Sequence, residues 1–120
     1  MTDFVFKILR AAELSDFQRI GMFRGSADDA RDGFIHLSTA EQVPCTLGRH
    51  FGGDNDAAET GLSLLSFTVA DFGELLKWEP SRNGELFPHV YGPLLMSNVL
   101  QTASVDVDSD GRHVLPDGIG

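Results

Sequence analysis

Short apolar segments divide the chain, and their spacing predicts more strands than helices. Phe4–Leu9 is rich in aromatic and β-branched residues, which is typical of a first strand. The segment 11–20 follows and predicts a helix, because its apolar residues recur three apart at Leu14, Phe17 and Ile20. Gly21 is suited to end this helix, since glycine readily adopts the left-handed conformation found there.

The next stretch predicts a loop, a strand and a second helix. Residues 25–33 are polar and acidic, and we expect a loop. Phe34–Ser38 is typical of a short strand. Two overlapping capping boxes come next, in which Glu41 follows Ser38 and Gln42 follows Thr39 by three residues. They predict a helix running to about Phe51.

The second half of the chain predicts mainly strands. Leu62–Val69 is largely apolar and suits a central strand, and 72–76 suits a short helical turn. Glu85–Tyr91 is predicted to be extended, with Pro88 confining it to a sheet edge or a bulge. A hairpin around Asp110-Gly111 is expected to join 98–108 to 112–115. These elements together predict an α+β fold.

Length and charge narrow the range of functions. The 120 residues fit a single domain, 1–120, and 42% of them are hydrophobic, which is enough to build a core. The net charge is −9, and the nine Lys and Arg residues are scattered along the chain. Because nucleic-acid binding rests on clustered basic side chains, we expect no DNA partner, and the charge disfavours RNA. An anionic membrane is disfavoured for the same reason.

The expected location is the cytoplasm. The single cysteine, Cys45, has no intramolecular disulfide partner, which fits a reducing compartment. The first residues do not resemble a secretory signal, and the apolar runs are far shorter than the roughly 20 residues that cross a bilayer. We expect a monomer or a weak dimer that binds a small molecule.

Two strand segments place a histidine beside aromatic and hydroxyl side chains. Because side chains alternate along a strand, Phe34, His36 and Ser38 share one face, opposite Ile35 and Leu37. The other segment puts four residues on one face, opposite Leu86, Pro88 and Val90: Glu85, Phe87, His89 and Tyr91. Apolar walls with a few placed polar groups are typical of a ligand cleft. We therefore expect His36, His89 and Tyr91 to open onto one cleft.

The candidate chemistry is acid–base catalysis without a metal. Glu85, His89 and Tyr91 offer an acid, a base and a hydrogen-bond donor. The alternative is that these histidines are structural, with a ring nitrogen bonded to a backbone carbonyl. We take as catalytic candidates His36, His89, Tyr91 and Glu85, and as ligand contacts Phe34, Ser38, Thr39 and Phe87. The spacing of Cys and His offers no zinc cluster, so no metal is expected.

An acidic segment near the end of the chain has calcium-loop spacing. Asp106, Asp108 and Asp110 precede Gly111, with Asp117 at the twelfth position. However, helical patterns do not flank it, and Asp-Gly between β-like runs is a hairpin signal. The hairpin is the favoured interpretation.

Three blocks of sequence resemble a known bacterial family. They are Asp32-Gly33-Phe34-Ile35-His36-Leu37-Ser38-Thr39-Ala40-Glu41-Gln42, Trp78-Glu79-Pro80-Ser81 and Gly84-Glu85-Leu86-Phe87-Pro88-His89-Val90-Tyr91-Gly92. The chain resembles the family catalogued as domain of unknown function 952 over nearly its whole length. Phe17 stands where a tryptophan of that family is expected.

The resemblance implies a fold like that of ADP-ribosyltransferases, whose cleft holds NAD. Such a fold has two small, mostly antiparallel sheets forming a cleft, with one or two helices packed outside. His36, with Ser38 beside it, matches the residue that holds the ribose next to nicotinamide, and Tyr91 matches the tyrosine that stacks on nicotinamide. The glutamate that serves transfer has no counterpart, because aspartates alone supply carboxylate side chains after Glu85.

Three functions remain open, and NAD is a candidate cofactor for the first. The first is an enzyme that acts on NAD or a nucleotide-like phosphoester. The second is a module that binds a small ligand, and the third is a protein-interaction domain. A basic residue beside His36 would favour the enzyme, and a closed apolar cleft would favour the binding module. A filled cleft with a large exposed apolar patch would favour the interaction domain.

Overall fold

The computed structural model describes residues 3–52, 58–81 and 84–116. Every strand in these ranges pairs antiparallel with a neighbouring strand. These residues form an α+β fold with more strands than helices. In chain order the elements are β1 (Phe4–Leu9), α1 (Ala11–Ile20), β2 (Met22–Phe23), α2 (Ala27–Asp32), β3 (Ile35–His36), α3 (Val43–His50), β4 (Leu62–Thr68), a 3-10 segment (Val69–Leu75), β5 (Leu76–Pro80), β6 (Leu86–Val90), β7 (Leu94–Leu95), a 3-10 turn (Met96–Asn98), β8 (Gln101–Val107) and β9 (His113–Val114).

The largest sheet has the strand order β1-β4-β8-β9, so β4 is central, as its apolar run predicted. Side chains of β1 alternate between two cores. Val5 and Leu9 enter the larger core with Phe17 of α1, while Phe6 and Ile8 enter a second core beneath α3. The alternation puts Lys7 on the face that enters the larger core.

A second sheet has the order β3-β6-β5 and is joined to the first by one bridge. Phe6 of β1 and Ser38 exchange two backbone hydrogen bonds, of 2.8 and 3.0 Å. The two sheets therefore meet at Ser38, and the remaining two-stranded sheet pairs β2 with β7.

Pro88 lies in the central strand of the second sheet, so the prediction of an edge or bulge was wrong. Its carbonyl accepts from Leu37 N at 3.0 Å, on the side of β3. In an antiparallel ladder the nitrogen and carbonyl of one residue face the same neighbour. The missing N–H thus faces Leu37, which lies just past the end of the short strand β3.

Residues 25–33 were predicted to be a loop and instead contain α2. Ser26 and Asp29 close a capping box in which Asp29 N donates to Ser26 Oγ and Ser26 N donates to Asp29 Oδ2. Gly33 ends the helix in the left-handed conformation, with φ of 86°. The sequence of this helix has no apolar periodicity, and the hydrogen bonds of its N-terminal and C-terminal caps stabilise it instead.

Several other predictions are confirmed. The bounds of β1 and α1 agree with the sequence, and Gly21 ends α1 with φ of 86°. Of the two capping boxes before α3, the Thr39–Gln42 pair forms, with Gln42 N donating to Thr39 Oγ1 and Thr39 N to Gln42 Oε1. The last hairpin pairs β8 with β9, and its Asp108 carboxylate accepts from the backbone N–H groups of Asp110 and Arg112.

The described residues form three α-helices rather than the one or two expected, and none of these helices is long and apolar enough to span a bilayer. Some predictions fall on residues outside the described ranges. The sequence also predicts a loop at 52–56 and a turn at 81–84, and most of that loop, the centre of that turn and Asp117 lie outside the described ranges.

Candidate functional site

Asp29 is the buried centre of a polar network that ties α2 to β1 and β3. Its side chain is 2% exposed. Oδ2 accepts from Lys7 Nζ at 2.9 Å, and Oδ1 accepts from His36 N at 3.0 Å. Lys7 also donates to the backbone carbonyl of His36 at 3.0 Å. The buried carboxylate thus has a cation and several N–H donors, which is what burial of a charge requires.

These donors control the ionisation of Asp29. Burial alone would raise the pKa of this carboxyl group, because it disfavours the charged form. Hydrogen bonds from His36 and the charge of Lys7 outweigh burial and hold the pKa well below its usual range. Asp29 is therefore a permanent anion at neutral pH.

The His36 ring lies between two carboxylates of α2. Nδ1 lies 2.6 Å from Asp29 Oδ1, and Nε2 lies 3.0 Å from Asp32 Oδ2. The imidazolium form has an N–H to offer at both positions. Hydrogen bonding from Arg31, together with the nearby His36, lowers the pKa of Asp32 as well. Both ring nitrogens of His36 therefore face a carboxylate oxygen.

A second carboxylate–histidine pair lies on the neighbouring strands. Glu79 Oε1 of β5 is 2.8 Å from His89 Nδ1 and accepts from the Tyr91 hydroxyl at 2.7 Å. The hydrogen bond from Tyr91, followed by that from His89, lowers the pKa of Glu79. The same hydrogen bond raises the pKa of Tyr91, because the phenolate would lie beside a carboxylate.

His89 is 4% exposed, and its Nε2 has no hydrogen-bond partner among the residues that the structure describes. With Nδ1 donating to Glu79, the neutral ring would have Nε2 as an acceptor. A buried polar atom without a partner costs about 1–3 kcal/mol. The ring therefore keeps one position available for a water or a ligand atom.

Phe34 joins the two histidines into one aromatic cluster. Its ring stacks on His89 at 4.1 Å between centroids, and lies 4.7 Å from the His36 ring and 5.4 Å from that of Tyr91. The His36 and His89 rings are 5.4 Å apart, because these two residues are directly paired across β3 and β6.

The structure thus brings together four of the residues that the sequence singled out: Phe34, His36, His89 and Tyr91. A cleft of about 260 Å³ lies where the two sheets meet. His36 and His89 both line it, as do Ser38 and Phe87, whereas Tyr91 lies beside the cluster and is not part of the lining. Ser38 Oγ is 2.9 Å from Thr46 Oγ1 on α3.

Glu85 and Thr39 lie apart from the histidines. Glu85 Oε2 accepts from Gln42 Nε2 at 2.8 Å, and Gln42 also donates to the carbonyl of Leu86. Thr39 bonds the same glutamine. Together they tie the start of α3 to β6, and neither residue lines the cleft.

Sequence reasoning missed Lys7, Asp29, Asp32 and Glu79. Two of them carried a signal. Lys7 is a cation on a strand face shared with Val5 and Leu9, and a buried cation needs a buried anion. Asp29 is the third residue after Ser26, which is capping-box spacing.

The cleft walls combine apolar and charged residues. Phe6, Ile8, Phe51 and Phe87 supply apolar surface. The charged lining within the described ranges balances four basic residues, Lys7, Arg10, Arg31 and Arg49, against four acidic ones, Glu13, Asp28, Asp29 and Asp32. In a chain of net charge −9, this region is locally neutral.

A family model and solved structures of one protein match the chain. No curated protein matches the chain. A crystal structure of protein CC0527 from Caulobacter crescentus is 44% identical, covers 92% of this chain and 93% of its own, and superposes with a TM-score of 0.83. The solution NMR structure of CC0527 is 45% identical over 90% of this chain and 89% of its own, with a TM-score of 0.76. The family described as a protein of unknown function, DUF952, matches residues 8–102, and the chain belongs to this family.

Proposed function

We propose that the cleft between the two sheets binds a nucleoside-containing small molecule, such as one half of NAD. The observation that carries this proposal is the unpartnered Nε2 of His89, a buried ring that lines the cleft. A ligand hydroxyl or ring N–H would give this nitrogen the hydrogen bond that it lacks.

The apolar wall supports a flat, partly aromatic ligand. Phe6, Phe51 and Phe87 line the cleft, and large apolar side chains with a few polar groups are typical of small-molecule sites. In this proposal the wall contacts the faces of the base, while the polar network of Asp29 and His36 contacts the sugar. Sugar hydroxyls both donate and accept, which suits a carboxylate–histidine network.

The size of the cleft favours a nucleoside over a whole dinucleotide. Its volume of about 260 Å³ lies just below the roughly 300–1,000 Å³ of most ligand pockets. The ADP-ribosyltransferase-like fold implied by the family resemblance would make NAD the ligand. With this volume, one half of NAD would occupy the cleft and the other half would extend out of it.

Binding is favoured over transfer of ADP-ribose. The glutamate that serves transfer in the resembled superfamily has no counterpart after Glu85. Glu85 itself is engaged with Gln42 rather than with the histidines. The second candidate function, transfer or hydrolysis, rests on Glu79 and His89, because a carboxylate that orients an imidazole is the arrangement of a general base.

Thermal unfolding with and without adenosine, nicotinamide riboside and NAD tests the proposal. A ligand that binds only the native state stabilises it by about 2.7 kcal/mol at a hundred times its Kd. We expect His89→Asn to remove this stabilisation, because Asn supplies an amide in place of Nδ1 and nothing in place of Nε2. His89→Gln, whose amide reaches the Nε2 position, should retain part of it.

His113→Asn is the matched control. His113 is a second histidine with one buried nitrogen that no described residue hydrogen-bonds, and it does not line the cleft. Its substitution should leave the ligand-induced stabilisation unchanged. The proposal fails if none of the three compounds stabilises the protein, or if stabilisation persists in His89→Asn.

A further inference from the structure

Three of the four basic side chains lining the cleft already have carboxylate partners. Lys7 pairs with Asp29 at 2.9 Å, and Arg10 pairs with Glu59 at 2.6 Å. Arg31 pairs with the two other acidic residues of α2, Asp28 and Asp32, at 3.2 and 3.1 Å. Their charges are largely neutralised within the protein.

Arg49 is different. It lies in the last turn of α3, is exposed, and lines the cleft. It makes no ion pair with any residue in the described ranges. An arginine presents several N–H donors in a planar fork that matches the oxygens of a phosphate.

The surroundings of Arg49 suit a ligand with two chemically distinct ends. Phe51, two residues further on, contributes apolar surface to the cleft and stacks against the Arg10 guanidinium at 4.7 Å. His89 lies in the wall formed by β6. One part of the lining thus carries aromatic and imidazole rings, and another part carries Arg49, a cation with no ion pair to the described residues.

We propose that Arg49 binds the phosphate of a nucleotide whose nucleoside occupies the cleft. This inference deepens the proposed function and rests on it: it makes the ligand a nucleoside phosphate rather than a nucleoside. The phosphate supplies an anionic partner, which Arg49 does not have among the described residues, and water screening at this exposed position limits the gain to a modest factor.

The test compares adenosine, AMP and pyrophosphate by isothermal titration calorimetry at low salt. The wild-type protein should bind AMP at least about fivefold more tightly than adenosine, the effect of one partly screened charged contact. Arg49→Gln should bring AMP down to the affinity of adenosine and leave adenosine unchanged. Arg49→Lys, which also keeps the favourable charge at the end of α3, should retain part of the preference.

Arg24→Gln is the matched control. Arg24 likewise makes no ion pair with the described residues and is exposed, but it does not line this cleft. The substitution removes the same charge from the protein, so it reports the effect of net charge alone. It should leave the preference for AMP intact.

The outcomes separate the two proposals. Equal affinities for AMP and adenosine in the wild type overturn the phosphate contact and leave nucleoside binding standing. The phosphate contact is likewise overturned if Arg24→Gln weakens AMP as much as Arg49→Gln does. Pyrophosphate binding that depends on Arg49, without any nucleoside binding, overturns the proposed function and supports the anion contact. Absence of binding by all three compounds overturns both.

Discussion

Asp29 and His36 are bound to each other twice, once through the backbone of His36 and once through its ring. Asp29 Oδ1 lies 3.0 Å from His36 N and 2.6 Å from His36 Nδ1. One carboxylate oxygen therefore fixes both the backbone and the ring of His36. The orientation of this imidazole is set by the fold itself and needs no ligand to establish it.

Replacing Asp29 with Asn should strongly destabilise the protein. The variant leaves the ammonium of Lys7, a residue only 8% exposed, without a counter-charge. Removing one partner of a buried ion pair costs about 3–5 kcal/mol. Urea unfolding measures this loss. Asp28→Asn, on the exposed side of α2, should change the free energy of unfolding by less than about 0.5 kcal/mol.

The low pKa of Asp29 makes stability depend on acid pH. Because the folded-state pKa lies below the unfolded value, the unfolded chain binds the proton more readily. The contribution of Asp29 is complete above the unfolded pKa and is lost as the pH falls below about 4 toward the folded pKa. Unfolding free energies measured from pH 6 downward should fall for the wild type. Asp29→Asn should show a shallower fall, and parallel curves would contradict this assignment.

His36→Ala should be destabilised, in contrast to what the strand pattern alone suggests. A ring that merely faced a cleft would cost little to remove. Here Asp29 would keep the His36 backbone N–H but lose the ring, and the expected cost is about 1–3 kcal/mol. Ile35→Ala in the larger core should cost about 2–5 kcal/mol. Urea unfolding of both variants decides; a fully stable His36→Ala would show that the Asp29 contact contributes nothing.

The absorbance of Tyr91 reports directly on its hydrogen bond to Glu79. It is the one tyrosine of the chain, so the absorbance change of phenol ionisation reports it alone. Its pKa should lie above the ordinary value of about 10, because Glu79 accepts its hydrogen bond and repels the phenolate. Glu79→Gln should lower the pKa of Tyr91 toward that value. A midpoint that does not move would mean that the hydrogen bond is absent in solution.

Calcium should not bind tightly to the acidic hairpin. Asp108 already uses its carboxylate to accept two backbone N–H groups of the turn, and the residues on either side belong to paired strands. Calorimetry with micromolar calcium should show no saturable heat. Saturable heat that disappears in Asp106→Ala would restore the calcium-loop interpretation.

Local patterns predicted the parts of the fold where one signal dominates. Alternation predicted that His36 and His89 open onto one cleft, whose lining includes both, and the β4 run identified a central strand. The Asp-Gly signal identified the last hairpin. These features depend on near neighbours in the chain, which a single sequence displays.

The rest depends on contacts between distant residues. The partner of Glu79 could have been any of several donors, and only the register of β5 against β6 brings His89 and Tyr91 to it. Glu85 lies on the same alternating face as His89, yet a contact with Gln42, 43 residues earlier, takes its carboxylate elsewhere. Pro88 was predicted at a sheet edge or a bulge because proline has no backbone N–H to donate within a sheet. In the structure that N–H would face a position beyond the end of the short strand β3, so a central strand tolerates the proline.

The capping box of α2 links the folding of that helix to the assembly of the site. Asp29 Oδ2 accepts both from Ser26 N, which closes the first turn, and from Lys7, while Oδ1 accepts from His36. Fraying of this six-residue helix would therefore release the β1 cation and the β3 imidazole in the same event. We therefore expect the amides of Gly33 and His36, which both bond to Asp29, to exchange with solvent in one local opening, the fraying of α2.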